Sequence, residues 1–143
     1  MIVDTQGSLL WENQLDQPSP VLVLTSEKVN QEYLDYLKEK HISWVACGKE
    51  QIDLKRACQI LAKEFAIERM AVVGGGLINA AFLSANLLDE ISLLIGAGID
   101  GREGMCSVFD GLKRNHPLTL LKLEKVKAFK SGSVWIRYKM LKK

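Results

Sequence analysis

Short apolar runs alternate with amphipathic stretches along the first two thirds of this 143-residue chain. Four runs are rich in β-branched and leucine side chains, namely Val21–Thr25, Ile42–Ala46, Met70–Val73 and Ile91–Ile95. Continuous apolar runs of this length are typical of strands that are buried on both faces, as in parallel sheets. Met1–Asp4 predicts a further strand, which begins without any lead-in.

Apolar side chains recur at helical spacing between these runs. Three such stripes predict amphipathic helices: Val29, Tyr33, Tyr36 and Leu37; Leu54, Ala57, Cys58, Leu61 and Phe65; and Ile78, Ala81, Phe82 and Ala85. Ser26 or Asn30 is available to cap the first of them. Strands and helices that alternate with short connections indicate right-handed crossovers, and therefore an α/β fold with a mainly parallel sheet between helical layers.

The last quarter of the chain has a different pattern. Leu118–Ala128 and Val134–Met140 predict two extended segments, and the Phe129–Ser133 stretch between them contains Gly132 and two serines, which favours a hairpin. In the second segment, Val134, Ile136, Tyr138 and Met140 alternate with polar or larger side chains. We expect this antiparallel hairpin to complete the sheet.

Composition narrows the class of protein. With 48% hydrophobic and 25% charged residues, residues 1–143 are long enough for one domain and too short for two ordinary ones. The apolar runs are too short to cross a membrane, and the start of the chain lacks a secretory signal pattern, so we expect a cytoplasmic protein. A net charge of +2, with acidic and basic residues interspersed, gives little support for a nucleic-acid partner.

The spacing of cysteines and histidines gives little support for a metal site or a catalytic nucleophile. Cys47, Cys58 and Cys106 form an odd and widely spaced set, which argues against disulfides and against a zinc site. His41 and His116 are far apart and belong to no metal-binding spacing. The sequence therefore predicts no metal site and identifies no catalytic residue.

The sharpest local feature is the glycine triplet Gly74, Gly75 and Gly76, which is followed by Leu77 and lies between a predicted strand and a predicted helix. At such a junction, free backbone N–H groups point outward from the positive end of the helix dipole. A phosphate can approach them because no Cβ atom blocks it. A tight turn or close helix–sheet packing explains a lone triplet equally well. The spacing fits neither the dinucleotide fingerprint of Rossmann folds nor a P-loop.

Two further junctions follow predicted strands. Thr25 and Ser26 precede Glu27 and Lys28, so hydroxyls, amides and an ammonium group are available for a second phosphate. The sequence alone favours plain helix capping by Ser26 over this role. Gly48 stands at the corresponding exit from the next strand. Ligands of open α/β sheets gather outside the carboxyl ends of the strands, so these junctions predict one binding groove.

The motifs together resemble the C-terminal reductase domain of the bifunctional riboflavin-biosynthesis deaminase/reductase family. The resemblance rests on five stretches: Val72–Leu83, which contains the glycines; Leu87–Leu93; Val108–Leu112; Pro117–Leu118; and Val134–Tyr138. It implies a dihydrofolate reductase-like fold, a small-molecule substrate of the ribosylaminopyrimidine phosphate type, and hydride transfer from NADPH. By the same resemblance, Gly74, Gly75, Gly76 and Leu77 contact the cofactor pyrophosphate, and Thr25 and Ser26 its adenosine end.

The chain departs from the family pattern at two points. Val73 stands where the family usually has a glutamate, and the strand and helix that open the family's domain have no counterpart, so the chain resembles an N-terminally truncated domain. An unpaired first sheet edge favours self-association, which predicts a homodimer. A non-catalytic remnant that dimerises or binds a nucleotide is the alternative to an active reductase.

Overall fold

The computed structural model describes residues 1–16 and 18–141. The chain divides into two compact units, Met1–Met70 and Ala71–Lys143, which are treated separately below. The reading of residues 1–143 as one reductase-like domain stays a prediction.

The first unit contains a parallel three-stranded sheet. Its strands are β1 (Ile2–Val3), β2 (Leu22–Thr25) and β3 (Ser43–Ala46), in the order β1-β2-β3. β2 pairs in parallel with both neighbours. The parallel sheet that the apolar runs predict is thus confirmed for this unit.

Two helices of the first unit begin at capping side chains. Asn30 accepts a hydrogen bond from the Tyr33 amide and caps α1 (Gln31–Glu39), so Asn30 rather than Ser26 is the cap. Asp53 caps α2 (Leu54–Phe65) in the same way through the Arg56 amide. A 3-10 turn covers Gln14–Asp16. Among the described residues no helix combines the length and the apolar character that a membrane crossing requires.

The core of the first unit lies on both faces of β2. Val23 packs with Tyr33 and Leu37 of α1, whereas Leu24 packs with Ala57 of α2. Successive strand residues point to opposite faces, so this split places one helix on each side of the sheet. The arrangement explains why Val21–Thr25 is apolar without alternation.

The second unit combines one helix with an antiparallel sheet. Its elements are α3 (Gly76–Ser84), β4 (Glu90–Ile95), β5 (Leu121–Ala128) and β6 (Val134–Met140), and the strand order is β4-β6-β5. Phe129 N–H donates to the Ser133 carbonyl at 2.9 Å and closes the turn between β5 and β6. The predicted hairpin is confirmed, with β5 three residues shorter at its start than expected.

Two expectations about the sheet are wrong. Met70–Val73 lies outside every strand of the structure, and Val73 is 96% exposed instead of buried. An apolar β-branched run shows strand propensity, but it does not supply the backbone partners that a strand needs. Ile91–Ile95 is a strand, but β4 pairs antiparallel with β6, so this strand and the hairpin form their own three-stranded sheet instead of completing the parallel one.

Candidate functional site

The glycine junction of the second unit forms the beginning of α3. Gly75 occupies the N-cap position with an extended backbone, and no side chain caps this helix end. The peptide between Gly74 and Gly75 is cis, and Gly74 has a φ of +108°. A Cβ atom on Gly75 would meet nothing within 4 Å, so the space above this residue is open. Gly75 is exposed, whereas Gly76, the first residue of α3, is buried. The open side of the junction thus lies at Gly75, beside the positive end of the helix dipole, which favours anions.

Gly76 differs from Gly75 because its surroundings leave no room for a side chain. A Cβ atom there would stand 2.6 Å from the Ser107 carbonyl oxygen and 2.7 Å from the Asp110 carboxylate oxygen Oδ2. Such contacts are far shorter than real Cβ atoms make. Glycine at this position is therefore required by a neighbouring loop, while the open side of the junction is at Gly75.

That neighbouring loop, residues 107–110, is tied to the first turn of α3 by hydrogen bonds. Asp110 N–H donates to the Gly76 carbonyl at 3.1 Å, and the Asn79 amide Nδ2 donates to the Val108 carbonyl at 2.8 Å. Within the loop, the Asp110 carboxylate accepts from the Ser107 amide at 2.8 Å and from the Ser107 hydroxyl at 2.6 Å. We call residues 107–110 the latch loop, because these bonds fix it against the glycine junction.

The other predicted site residues lie in the first unit, at the carboxyl ends of β2 and β3. Thr25 and Ser26 are almost fully buried. The Ser26 hydroxyl donates to the Thr5 carbonyl at 2.8 Å, and the Thr25 hydroxyl lies 3.5 Å from the same oxygen. These hydroxyls thus join the end of β2 to the end of β1. Their predicted contact with a cofactor stays a prediction.

Gly48 is held directly beside this strand end. The Glu27 amide donates to the Gly48 carbonyl at 2.8 Å, so the structure brings the β2 and β3 exits together as the sequence predicts. Gly48 has a φ of +88°, and a Cβ atom there would stand 2.1 Å from the Gln51 carbonyl oxygen. The turn after β3 therefore needs glycine for its own geometry, independently of any ligand.

A buried carboxylate that the sequence pattern did not reveal lies at the end of β1. Asp4 accepts hydrogen bonds from the amides of Gly7, Ser8 and Leu9 at 2.9–3.1 Å and from the Tyr33 hydroxyl at 2.7 Å. The Trp11 indole donates to the same Tyr33 oxygen at 2.8 Å. This network fixes the loop after β1 against α1.

Burial and hydrogen bonding shift the pKa of Asp4 in opposite directions. Burial raises the pKa of its carboxyl group, but the bonds from the Leu9 amide, the Tyr33 hydroxyl and the Ser8 and Gly7 amides outweigh it and leave the pKa lowered. For Tyr33, burial is the main reason that the pKa rises to about 12, and the nearby Asp4 charge adds to it. A turn rich in Gly and Ser directly after a strand-ending aspartate is the sequence signal that could have indicated the network.

Other titratable groups give no second site. In the part of the chain that the structure describes, no group of three or more His, Cys, Asp or Glu side chains is placed to hold a metal ion. The three cysteines are free, and burial raises the pKa of the Cys47 and Cys58 thiols, which disfavours the reactive thiolate. The glycine junction and the β2–β3 exits remain the candidate sites.

Comparison with solved structures identifies the fold. A pyrimidine reductase-like protein from Corynebacterium diphtheriae has a TM-score of 0.81 at 20% identity, over 99% of this chain and 60% of that one. RibD from Acinetobacter baumannii has a TM-score of 0.74 at 20% identity, over 97% of this chain and 37% of that one. These neighbours confirm the predicted α/β fold of the dihydrofolate reductase-like type.

Comparison of sequences gives the family. The riboflavin biosynthesis protein RibD of Chlamydia muridarum is 26% identical over 106 residues, which are 73% of this chain and 28% of that protein. A 2,5-diamino-6-ribosylamino-4(3H)-pyrimidinone 5′-phosphate reductase of Saccharomyces cerevisiae is 29% identical over 90 residues, which are 59% of this chain and 34% of that protein. The matched parts thus span about a third of each relative. Residues 1–135 match the family model described as the RibD C-terminal domain, and the chain therefore belongs to that family.

Proposed function

We propose that this chain is an NADPH-dependent reductase of the riboflavin-biosynthesis type, which reduces a ribosylaminopyrimidine phosphate such as 5-amino-6-(5-phosphoribosylamino)uracil. Relatives named as RibD and as a pyrimidinone phosphate reductase support the reaction class. The single observation that carries the proposal is the uncapped beginning of α3 at Gly75, with open space above it. A dinucleotide pyrophosphate is an anion that suits such a helix end.

The proposed roles of the protein are binding and orientation. Gly74, Gly75, Gly76 and Leu77 contact the pyrophosphate, and the latch loop keeps the beginning of α3 in place. Thr25, Ser26 and Gly48 take the adenosine end. NADPH supplies the hydride when it is bound, and the chain's contribution is to position it against its acceptor.

A titration with NADPH tests this proposal. Tryptophan fluorescence is monitored as cofactor is added, and oxidation of NADPH is then followed by absorbance in the presence of the pyrimidine substrate. Saturable binding and substrate-dependent oxidation are expected. No saturable response at millimolar NADPH would contradict the proposal. Binding without oxidation would favour the alternative of a non-catalytic nucleotide-binding module, which the reductase names of the relatives do not favour.

We also propose that the chain forms a homodimer through the antiparallel sheet of the second unit. β5 is an edge strand, and its apolar side chains Leu121, Leu123 and Val126 are 37–55% exposed. Exposed apolar residues along an unpaired edge favour association with a second copy. Sedimentation is expected to give a dimer for the natural chain and a monomer for Leu123→Lys; a monomeric natural chain at micromolar concentration would overturn this.

A further inference from the structure

The carboxylate of Glu27 lies at the junction between β2 and α1 and bonds to two groups of the neighbouring junction. Its Oε1 accepts from the Arg56 guanidinium nitrogen Nη1 at 2.7 Å and from the Gly48 amide at 3.3 Å. Arg56 lies in the first turn of α2, the helix that follows β3 in the chain. Glu27 thus engages a cation of α2 and a backbone donor of the turn after β3.

Both partners of this ion pair are accessible from solvent. The side chains of Glu27 and Arg56 are 38% and 56% exposed. Lys28, which follows β2, is paired with Glu50. Arg56 and Lys28 are therefore each paired with a carboxylate, and an incoming anion has to compete with that carboxylate for either of them.

These ion pairs affect the binding of NADPH and of NADH differently. NADPH carries a phosphate on the adenosine ribose, and an arginine is the side chain that accommodates it, whereas NADH carries a hydroxyl, which donates to a carboxylate. A carboxylate that is already bonded to the arginine therefore weakens binding of the NADPH phosphate at the adenosine end. It does not weaken binding of the NADH hydroxyl there.

We propose that Glu27 is a specificity-determining residue that narrows the preference for NADPH over NADH by engaging Arg56 and the Gly48 amide. This inference rests on the proposed function, because it concerns the adenosine end of the same cofactor. Arg56 attracts the phosphate on the adenosine ribose of NADPH, and Glu27 weakens that attraction by pairing with Arg56.

Three variants test the inference through the dissociation constants of NADPH and NADH. Glu27→Gln frees Arg56 of its counter-charge and is expected to tighten NADPH binding about threefold, the size of an exposed ion pair, without tightening NADH binding. Arg56→Gln is expected to weaken NADPH binding and leave NADH binding unchanged. Glu64→Gln is the matched control, because it removes the same charge from an exposed ion pair with Lys63 at the far end of α2.

The outcomes separate this inference from the proposed function. A ratio of the two constants that shifts in favour of NADPH in Glu27→Gln and not in Glu64→Gln supports the role of Glu27, whereas a shift in favour of NADH would overturn it. Equal changes for both cofactors, or no change, would overturn it while leaving the reductase proposal intact. Failure of the natural chain to bind either cofactor would instead overturn the proposed function, and this inference with it.

Discussion

The Asp110 carboxylate oxygen Oδ2 lies 2.7 Å from the point that a Cβ atom would occupy on Gly76. On the same side, the Ser107 carbonyl oxygen lies 2.6 Å from that point, and a backbone atom cannot be moved by rotating a side chain. The latch loop therefore sets the identity of residue 76. The beginning of α3 and the latch loop therefore form one structural feature, although Asn79 and Val108 are 29 positions apart in the sequence.

Gly76→Ala is expected to displace the latch loop and the first turn of α3. We expect the free energy of unfolding to fall by about 1–3 kcal/mol, as in other overpacked sites. NADPH binding should weaken about tenfold, which corresponds to about 1.4 kcal/mol. Urea unfolding and a fluorescence titration measure the two effects. Gly98→Ala is the control, since a Cβ atom there meets nothing within 4 Å; equal stability of the two variants would contradict the steric account.

Asp110→Ala removes the acceptor of both Ser107 hydrogen bonds. Loss of these bonds is expected to loosen the latch loop, and the free energy of unfolding should fall by about 1–2 kcal/mol. Because the role proposed for the loop is to position the helix end, KM for NADPH should rise while kcat changes little. Asp100→Ala, which breaks an exposed pair with Arg102, is the control. An unchanged KM in Asp110→Ala would argue against a positioning role.

Asp4 should make stability depend on pH in the acid range. Its pKa is lowered below the ordinary value of 3.8 in the folded protein, so the unfolded chain binds the proton more readily. The stabilisation is present above about pH 4 and is lost as the pH falls through the lowered folded value. Urea unfolding at stepped pH measures it. In Asp4→Asn the acid dependence should be weaker, and parallel profiles for the two proteins would contradict this assignment.

Tyr33 should remain neutral well into the alkaline range. Its pKa is raised from 10.0 to about 12, so the folded state holds its proton more tightly than the unfolded state. The associated stability is present below pH 10 and is lost as the pH rises towards 12. The difference in tyrosinate absorbance between the natural chain and Tyr33→Phe isolates this group. A transition at the ordinary value in the folded protein would contradict the burial of Tyr33 and its hydrogen bond to Asp4.

Local sequence signals predict most elements of the first unit. The stripe from Leu54 to Phe65 gives α2 with its observed bounds, and Val21–Thr25 gives β2 to within one residue. Both depend on periodicity and capping, which act over a few residues. The glycine junction was also evident, since three consecutive glycines between apolar segments indicate close approach of the backbone.

What the sequence did not reveal depends on contacts between distant residues. Met70–Val73 has strand propensity, but whether it forms a strand depends on whether another strand lies beside it to pair with. Arg56 and Glu27 are 29 positions apart, as are Asp4 and Tyr33. Such pairs are set by the packing of elements, and a single sequence gives no signal of it.

Amide chemical shifts test most directly whether the amides at the beginning of α3 bind the cofactor phosphates. In 15N-labelled protein titrated with NADPH, the amides of Gly75, Gly76 and Leu77 are expected to shift progressively and to saturate together with the fluorescence response. Saturable NADPH binding that leaves these three amides unperturbed would contradict the account.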